Sequence, residues 1–526
     1  MVCAQMKNGK MKLIGSVLSV GGFTILSRLT GFLRESLQAH YIGVNVVSDA
    51  LGIAIKIPSL FRRILAEGAF NASFVPMFSG LLASEGPKEA LEFAQNVFSL
   101  LFLALLGLVV GVEMFLPELI PLFFRGLAQT PERLALTIQF SKITFPFLFF
   151  ISLTAFFSGI LNSFERFIAT SSSPVIGNLF IIAALIYLSP TAISPGYALA
   201  VGILWCGVAQ LLWVFIPCQI SKIRIVPKMP RITPNVKKFL KILLPAALGS
   251  SVVQINLFLD ITIASYLKVG GISYMNYADR LAQLPLSVIG MAMSTVLLPT
   301  LAKHLRKNNR IQALKVQTVA IETSLLAAIP ATTALIMLAH FLVEILYGHG
   351  EFTAENIAPT ARTLQALASG LPAYILIKLF TTTFFSSGDT KTPTIIGAGS
   401  VALNVTLNLL LINSMEYVGL ALATSISAWV QAFVLGYILQ KKDLLGFTNS
   451  ILKFLRDLIV PYGVLVGYLW FIVPRLDQYL RGIHVSSFFI LPLVFLGGTL
   501  IYLGIAYKTG VFSPKRIRSS LGEESL

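Results

Sequence analysis

Apolar runs recur along the whole chain, separated by short polar breaks, and they set its class. Fourteen of them read as spans: 13–40, 48–82, 91–116, 136–162, 172–189, 196–220, 239–267, 273–302, 312–346, 360–387, 393–412, 417–440, 454–473 and 486–507. Most are near the roughly 20 residues a helix needs to cross a bilayer. The helix is forced, because lipid offers no partners for backbone N–H and C=O groups. A membrane β-barrel would show alternating segments of about ten residues instead. Segments 48–82 and 312–346 exceed one straight span, so they are expected to tilt, kink or extend beyond the bilayer. The expected fold class is an all-α polytopic membrane protein.

Composition agrees, with 12% of 526 residues charged and 56% hydrophobic. The formal charge of +17 would point to nucleic acid in a soluble protein. Here it reads as loop lysines and arginines holding the cytoplasmic side. The N-terminus, Lys88, Arg166, the 221–241 and 303–310 loops, Lys391, the 441–456 loop and the tail hold 25 Lys and Arg. The alternate loops hold six: Arg125, Arg133, Lys268, Arg362, Arg475 and Arg481. That asymmetry places both termini in the cytoplasm and requires an even number of spans. Lys7, Lys10 and Lys12 before the first apolar run imitate a signal peptide, but the run continues past Arg28 and reads as a retained span. Met6 and Met11 are alternative starts.

Two pairs of segments repeat at an offset of about 225 residues. Residues 74–100 resemble 297–325, with Pro76 matching Pro299, and 142–159 resemble 369–388. Six spans separate the copies, so they share orientation, as in transporters whose halves are related by an axis along the membrane normal. The expected organisation is an N-terminal lobe of spans one to six (1–225) and a C-terminal lobe of spans seven to twelve (226–445). An appended helix pair with a basic tail (446–526) follows. The basic, proline-bearing 221–241 stretch is the linker between lobes, and 515–520 (KRIRSS) reads as a membrane-surface anchor.

Ionisable residues within spans are expensive, about 2.5–3.5 kcal/mol each on insertion scales. This chain keeps Arg28, Arg34, Glu35, Asp49, Lys56, Arg62, Arg63, Glu67, Asp260, Asp279, Arg280 and Lys378. Most lie in spans one, two, seven and eight, the first two of each half. The simplest account is a hydrated cationic cavity between the lobes. Lys56 and Arg63 are seven apart and share a helix face, and Arg63 and Glu67 can pair at i, i+4. Gly31, between Arg28 and Arg34, would allow a bend that brings both inward, and Pro58 would interrupt span two. A cluster of Arg28, Arg34, Arg62, Arg63 and Arg280 suits phosphate, since the planar guanidinium donates two parallel hydrogen bonds and stays charged. The competing reading for Arg63–Glu67 and Asp279–Arg280 is a salt bridge that locks helices together.

A second group, Asp260, Asn404, Asn408 and Thr424, offers one carboxylate and neutral oxygens for a small cation such as Na⁺. Interhelical hydrogen bonding by polar residues, common in bundles, is the preferred reading. Cys3, Cys206 and Cys218 form no CxxC pair, the five histidines are scattered, and no GxxxxGK(S/T) phosphate loop occurs. No cofactor, enzymatic centre or nucleic-acid partner is therefore expected, and an ion gradient or the membrane potential would have to supply the drive.

SRLTGFLRE (27–35), SDALGIAIKIPSLFRRILAEGAFNASFVP (48–76), YADRLAQLP (277–285) and GDTKTP (388–393) resemble motifs of the MurJ (MviN) family of lipid II flippases, within the MOP exporter superfamily. The resemblance runs over about 13–510. It implies a flippase that carries undecaprenyl-diphosphate-linked disaccharide pentapeptide from the cytoplasmic to the periplasmic leaflet of the inner membrane by alternating access. By the same resemblance, substrate-binding roles fall on Arg28, Arg34, Asp49, Arg62, Arg63, Glu67 and Arg280. Glu35, Lys56, Ser59, Asp279 and Lys378 are secondary cavity residues. The family's sodium site falls on Asp260, Asn404, Asn408 and Thr424, and its last two helices help form a groove for the lipid tail. The chain departs from the family pattern with Glu35 for Asp, Ser59 for Asn, Gln283 for Glu and Asn408 for Asp. Implied partners are lipid II, membrane lipids and cell-wall synthesis proteins. The alternatives are a cation-coupled drug exporter, another lipid-linked oligosaccharide flippase, and a non-transporting membrane scaffold for envelope synthesis.

Overall fold

The computed structural model describes residues 2–63, 68–221, 223–306, 309–445, 448–482 and 487–512; Glu67 and the 515–520 stretch lie outside them. Helices dominate, and no strand occurs among the described residues. In chain order they are α1 (Val2–Ile42), α2 (Val46–Arg62), α3 (Ala69–Ser84), α4 (Pro87–Phe123), α5 (Pro131–Thr144), α6 (Phe147–Ser163), α7 (Phe167–Ala183) and α8 (Pro195–Ile220). There follow α9 (Pro234–Ala264), α10 (Gly271–Arg306), α11 (Arg310–Met337), α12 (Ala339–Tyr347), α13 (Ala354–Ala368), α14 (Leu371–Ser386), α15 (Lys391–Lys441), α16 (Thr448–Asp457), α17 (Ile459–Gly467), α18 (Val473–Gly482) and α19 (Ser487–Lys508). Among the described residues nine stretches are long and apolar enough to cross a membrane. One of them, Lys391–Lys441, breaks at Glu416 (φ 48°, ψ −128°) into the two spans expected there. Helices α1, α2 with α3, α9 and α10 fall outside that set. They carry most of the ionisable residues singled out in the sequence.

The repeat is visible in where helices begin. Val46 and Gly271 start equivalent helices, as do Pro87 and Arg310, Pro131 and Ala354, Phe147 and Leu371, and Phe167 and Lys391, all at offsets of 223 to 225. The two over-long segments resolve into pairs. Segment 48–82 becomes α2 and α3, and 312–346 becomes α11 and α12 joined at Leu338 (φ −100°, ψ 13°).

Pro58 does not interrupt α2, contrary to the expectation. A helical proline strips the i−4 carbonyl of its donor, here Ala54 O. The hydroxyl of Thr144, at the end of α5, donates to that oxygen at 3.0 Å. Ala54 and Thr144 are both fully buried. The freed carbonyl thus becomes a tie between α2 and α5, and α2 continues to Arg62. The same device recurs in α11, where Pro330 frees Leu326 O and the Tyr502 hydroxyl of α19 donates to it at 2.9 Å. Helix ends left open by a kink are closed similarly: Gln365 Nε2 donates to Ile336 O, and Ser425 Oγ donates to Ala366 O.

The chain forms two compact units, Met1–Ser273 with Gly350–Phe352, and Tyr274–His349 with Thr353–Leu526. Helix α9 opens the second repeat but belongs to unit 1, which grips it at both ends. At its start, Phe239 enters an aromatic cluster with Phe70, Phe74, Phe93 and Phe156. Ile223 and Ile225 of the preceding linker are buried in the same cluster. The linker backbone is strapped to α4: Val226 N donates to Gln95 Oε1 (3.2 Å), Lys228 N to Ser99 Oγ (3.1 Å) and Arg231 N to Asn96 Oδ1 (3.0 Å). At the other end, Phe258 packs on Phe123 and Phe124, and Gly126 lies so near Ser265 that a Cβ would sit 2.5 Å from its backbone.

Candidate functional site

Unit 1 places its cations along α1 and α2. Arg28 is exposed, and Arg34, two turns later, is half-buried against α7. The chain stays helical through Gly31, where a Cβ would lie 3.4 Å from Asn178 Nδ2 of α7, an ordinary contact distance. Asn178 Oδ1 accepts from Arg34 Nη1 at 3.0 Å. Its Nδ2 donates to Ser27 O (3.1 Å) and Thr30 Oγ1 (3.2 Å). Arg34 Nη2 meets Glu35 Oε1 at 2.5 Å, with the two side chains 23% and 12% exposed. One carboxylate and one amide thus orient the Arg34 fork while leaving it within reach of solvent. Since a guanidinium has five donors, Arg34 keeps capacity for a further acceptor.

On α2, Lys56, Ser59 and Arg62 are half-buried, and Arg63, just past its end, is exposed. Ser59 spends its hydroxyl on its own helix, donating to Ile55 O at 2.8 Å. In unit 2, Arg280 is exposed on α10, Asp279 accepts from Gln283 Nε2 at 2.5 Å, and Lys378 is half-buried beside Gly290. Gln283 thus holds the neighbouring carboxylate from one turn away.

Asp49 stands in a different setting. It is 0% exposed at the start of α2, which Asn45 and Ser48 cap reciprocally. Its Oδ1 accepts from Ser273 N (2.9 Å) and Ser273 Oγ (2.6 Å), and its Oδ2 from Gly270 N (2.7 Å). Arg133 Nη1 lies 3.5 Å from Oδ2. Arg133, counted among loop cations in the sequence, is 1% exposed in the first turn of α5 and donates to Ser265 O (2.8 Å) and Leu267 O (3.0 Å). No local pattern marked it, because its acceptors lie more than 130 residues away.

Of the second group, Asn404, Asn408 and Thr424 come together in α15. Asn408 Nδ2 donates to Asn404 Oδ1 at 2.9 Å, and Asn404 Nδ2 reaches Thr424 Oγ1 and Ser427 Oγ at 3.3 Å. Asp260 belongs to unit 1, where Asn256 Nδ2 donates to it at 3.3 Å. The GDTKTP stretch is a helix start: Asp389 accepts from Thr392 N (3.0 Å) and Oγ1 (2.7 Å) and pairs with Lys442. In this turn the hydrogen bond from Lys442, with those from Thr392, holds the Asp389 carboxyl well below the usual carboxylate range.

A doubled series of membrane helices, carrying internal prolines whose freed carbonyls are re-bonded, with guanidinium groups in its first helices, defines a repeat-built polytopic membrane transporter. Among solved structures, an inward-facing multidrug resistance MATE transporter of the MOP superfamily shares the fold (TM-score 0.68, 15% identity, 80% of this chain and 94% of that one). The chain belongs to the lipid II flippase MurJ family, whose profile matches residues 38–491. It is 37% identical to the probable lipid II flippase MurJ of Rhizobium meliloti (strain 1021), covering 97% of this chain and 96% of the relative. It is 35% identical to that of Rickettsia prowazekii (strain Madrid E), covering 95% and 97%. A solved lipid II flippase MurJ in an inward closed conformation aligns with TM-score 0.76 and 28% identity, over 94% of this chain and 99% of that one.

Proposed function

We propose that the chain is a lipid II flippase of the bacterial inner membrane, with both termini cytoplasmic, moving the diphosphate-linked peptidoglycan precursor to the periplasmic leaflet. The observation that carries this reading is the family match over 38–491, a stretch that contains Arg62, Arg63 and Arg280, with Arg34 just before it. Arg34 is the best-defined ligand. Its fork is steadied by Asn178 and Glu35, and the remaining donors take phosphate oxygens. Arg28, Arg62, Arg63 and Arg280 add positive charge, and a guanidinium holds its proton in any cavity. The polyprenyl tail stays in lipid while the headgroup crosses by alternating access. The substrate is carried across unchanged, so no bond of the precursor is broken. The Asn404–Asn408–Thr424 cluster ties the two parts of α15 together, since the Asn404 and Asn408 amide N–H groups already have partners.

The test is a leaflet-specific assay of lipid II in cells depleted of this protein. Depletion should trap lipid II in the cytoplasmic leaflet, and the wild-type chain should restore outward exposure. An unchanged leaflet distribution on depletion would overturn the reading.

A further inference from the structure

We infer that Arg133 is a positioning residue for transport: together with Asp49 it forms a polar latch that shuts the extracytoplasmic end of unit 1 and must open in each cycle. The inference rests on the flippase reading. The turn between α9 and α10 is held from two sides by groups of opposite charge. Its carbonyls, Ser265 O and Leu267 O, go to the Arg133 guanidinium, and its N–H groups, on Gly270 and Ser273, go to the Asp49 carboxylate. The two charges lie 3.5 Å apart and neutralise one another. Ser48 Oγ meets Ser273 Oγ at 2.7 Å and closes the ring.

The latch sits at one end of the helices. The α1–α2, α4–α5 and α9–α10 turns follow spans one, three and seven of the fourteen-span reading, so they share the side opposite the N-terminus. The same end holds a second close contact, where Glu351 N donates to His40 O at 2.9 Å. Gly43 and Gly350, both at positive φ, let these backbones meet; a Cβ on either would come within 2.3 Å of the other segment's carbonyl.

A permanent seal would need no charges, since apolar residues of similar volume stabilise as well or better than a buried ion pair. Charge-assisted hydrogen bonds differ in that water can replace each of them once the end opens. A buried pair of this kind is therefore stable shut and tolerable when hydrated, which is what a two-state element requires.

The experiment places a cysteine at Ser265, a fully buried position, in a chain carrying Cys3→Ser. Labelling by a membrane-impermeant maleimide is followed in intact spheroplasts. Buried Cys206 and Cys218 report on unfolding. Arg133→Gln should label about tenfold faster or more, the population change that ~1.4 kcal/mol of lost closure produces. Arg133→Lys, which keeps the charge but cannot fork between two carbonyls, should fall between it and the wild type. Exchanging the pair as Asp49→Arg with Arg133→Asp should not rescue, because an arginine cannot accept from Gly270 and Ser273. If Arg133→Gln exposes Cys206 and Cys218, the Lys variant decides. Wild-type labelling rates in Arg133→Lys, or in an otherwise folded Arg133→Gln, would overturn the latch. Lipid II export, measured in parallel, judges the flippase reading separately, because labelling reports closure whether or not that lipid is the cargo.

Discussion

The proline-freed carbonyls make a sharp prediction. Thr144→Val removes one hydroxyl and almost no volume, leaving Ala54 O without the donor it has at 3.0 Å. Both groups are fully buried, so water does not replace the bond. An unsatisfied buried carbonyl costs about 1–3 kcal/mol. Hydrogen bonds between membrane helices average only about 0.6 kcal/mol, with a maximum near 1.7. The membrane figure governs here, because the same groups also find partners in the unfolded-in-membrane state, so a loss of about 0.5–1.5 kcal/mol is expected on that scale. The assay is reversible unfolding of the purified protein in mixed micelles, with and without Pro58→Ala. Alanine at 58 restores the backbone N–H that bonds Ala54 O within α2. In that background Thr144→Val should become nearly silent, giving a coupling of about the size of the single-mutant loss. An equal loss in both backgrounds would refute the reasoning, since the threonine would then act by something other than the carbonyl that proline frees.

Further outcomes follow from the same geometry. Asn178→Ala releases Arg34 Nη1 and should weaken lipid II binding about 2- to 10-fold, the range of one ordinary hydrogen bond, with folding intact by size-exclusion chromatography. Gly43→Ala forces a Cβ into a position at φ 66° and 2.2 Å from Glu351 O. It should destabilise by more than ~1 kcal/mol in a thermal melt, since the left-handed conformation alone disfavours alanine by that much. Asp389 has a depressed pKa in the folded chain, so its stabilising contribution is complete above the ordinary carboxylate pKa and is lost as pH falls toward the folded value. Asp389→Asn should therefore lower stability by a constant amount from pH 5 to 8, and the gap to the wild type should narrow below pH about 4.

Much of the fold is written in local pattern. Span length and hydropathy give the helices, and the matched segments around Pro76 and Pro299 give the repeat that reappears in the helix starts. The arginines of α1, α2 and α10 stand out because charge inside a span is rare. What stayed hidden depends on distant partners. Pro58 looks like a helix breaker until Thr144, on another helix, is seen to bond the carbonyl it frees. Arg133 looks like a loop cation until its acceptors at Ser265 and Leu267 are known. Asp49 shares a motif with the arginine pair but is turned into backbone N–H groups at the α9–α10 turn.

The central claim is that guanidinium groups of the first helices grip the diphosphate of the lipid precursor. The most direct measurement is a binding titration of lipid II to the purified protein in nanodiscs, wild type against Arg34→Ala, with undecaprenyl phosphate as a competitor lacking the second phosphate. Loss of charge-assisted hydrogen bonds worth about 1.5–3 kcal/mol should weaken lipid II binding roughly 10- to 150-fold and shrink the preference for diphosphate over monophosphate. Unchanged affinity and unchanged preference in Arg34→Ala would contradict the account.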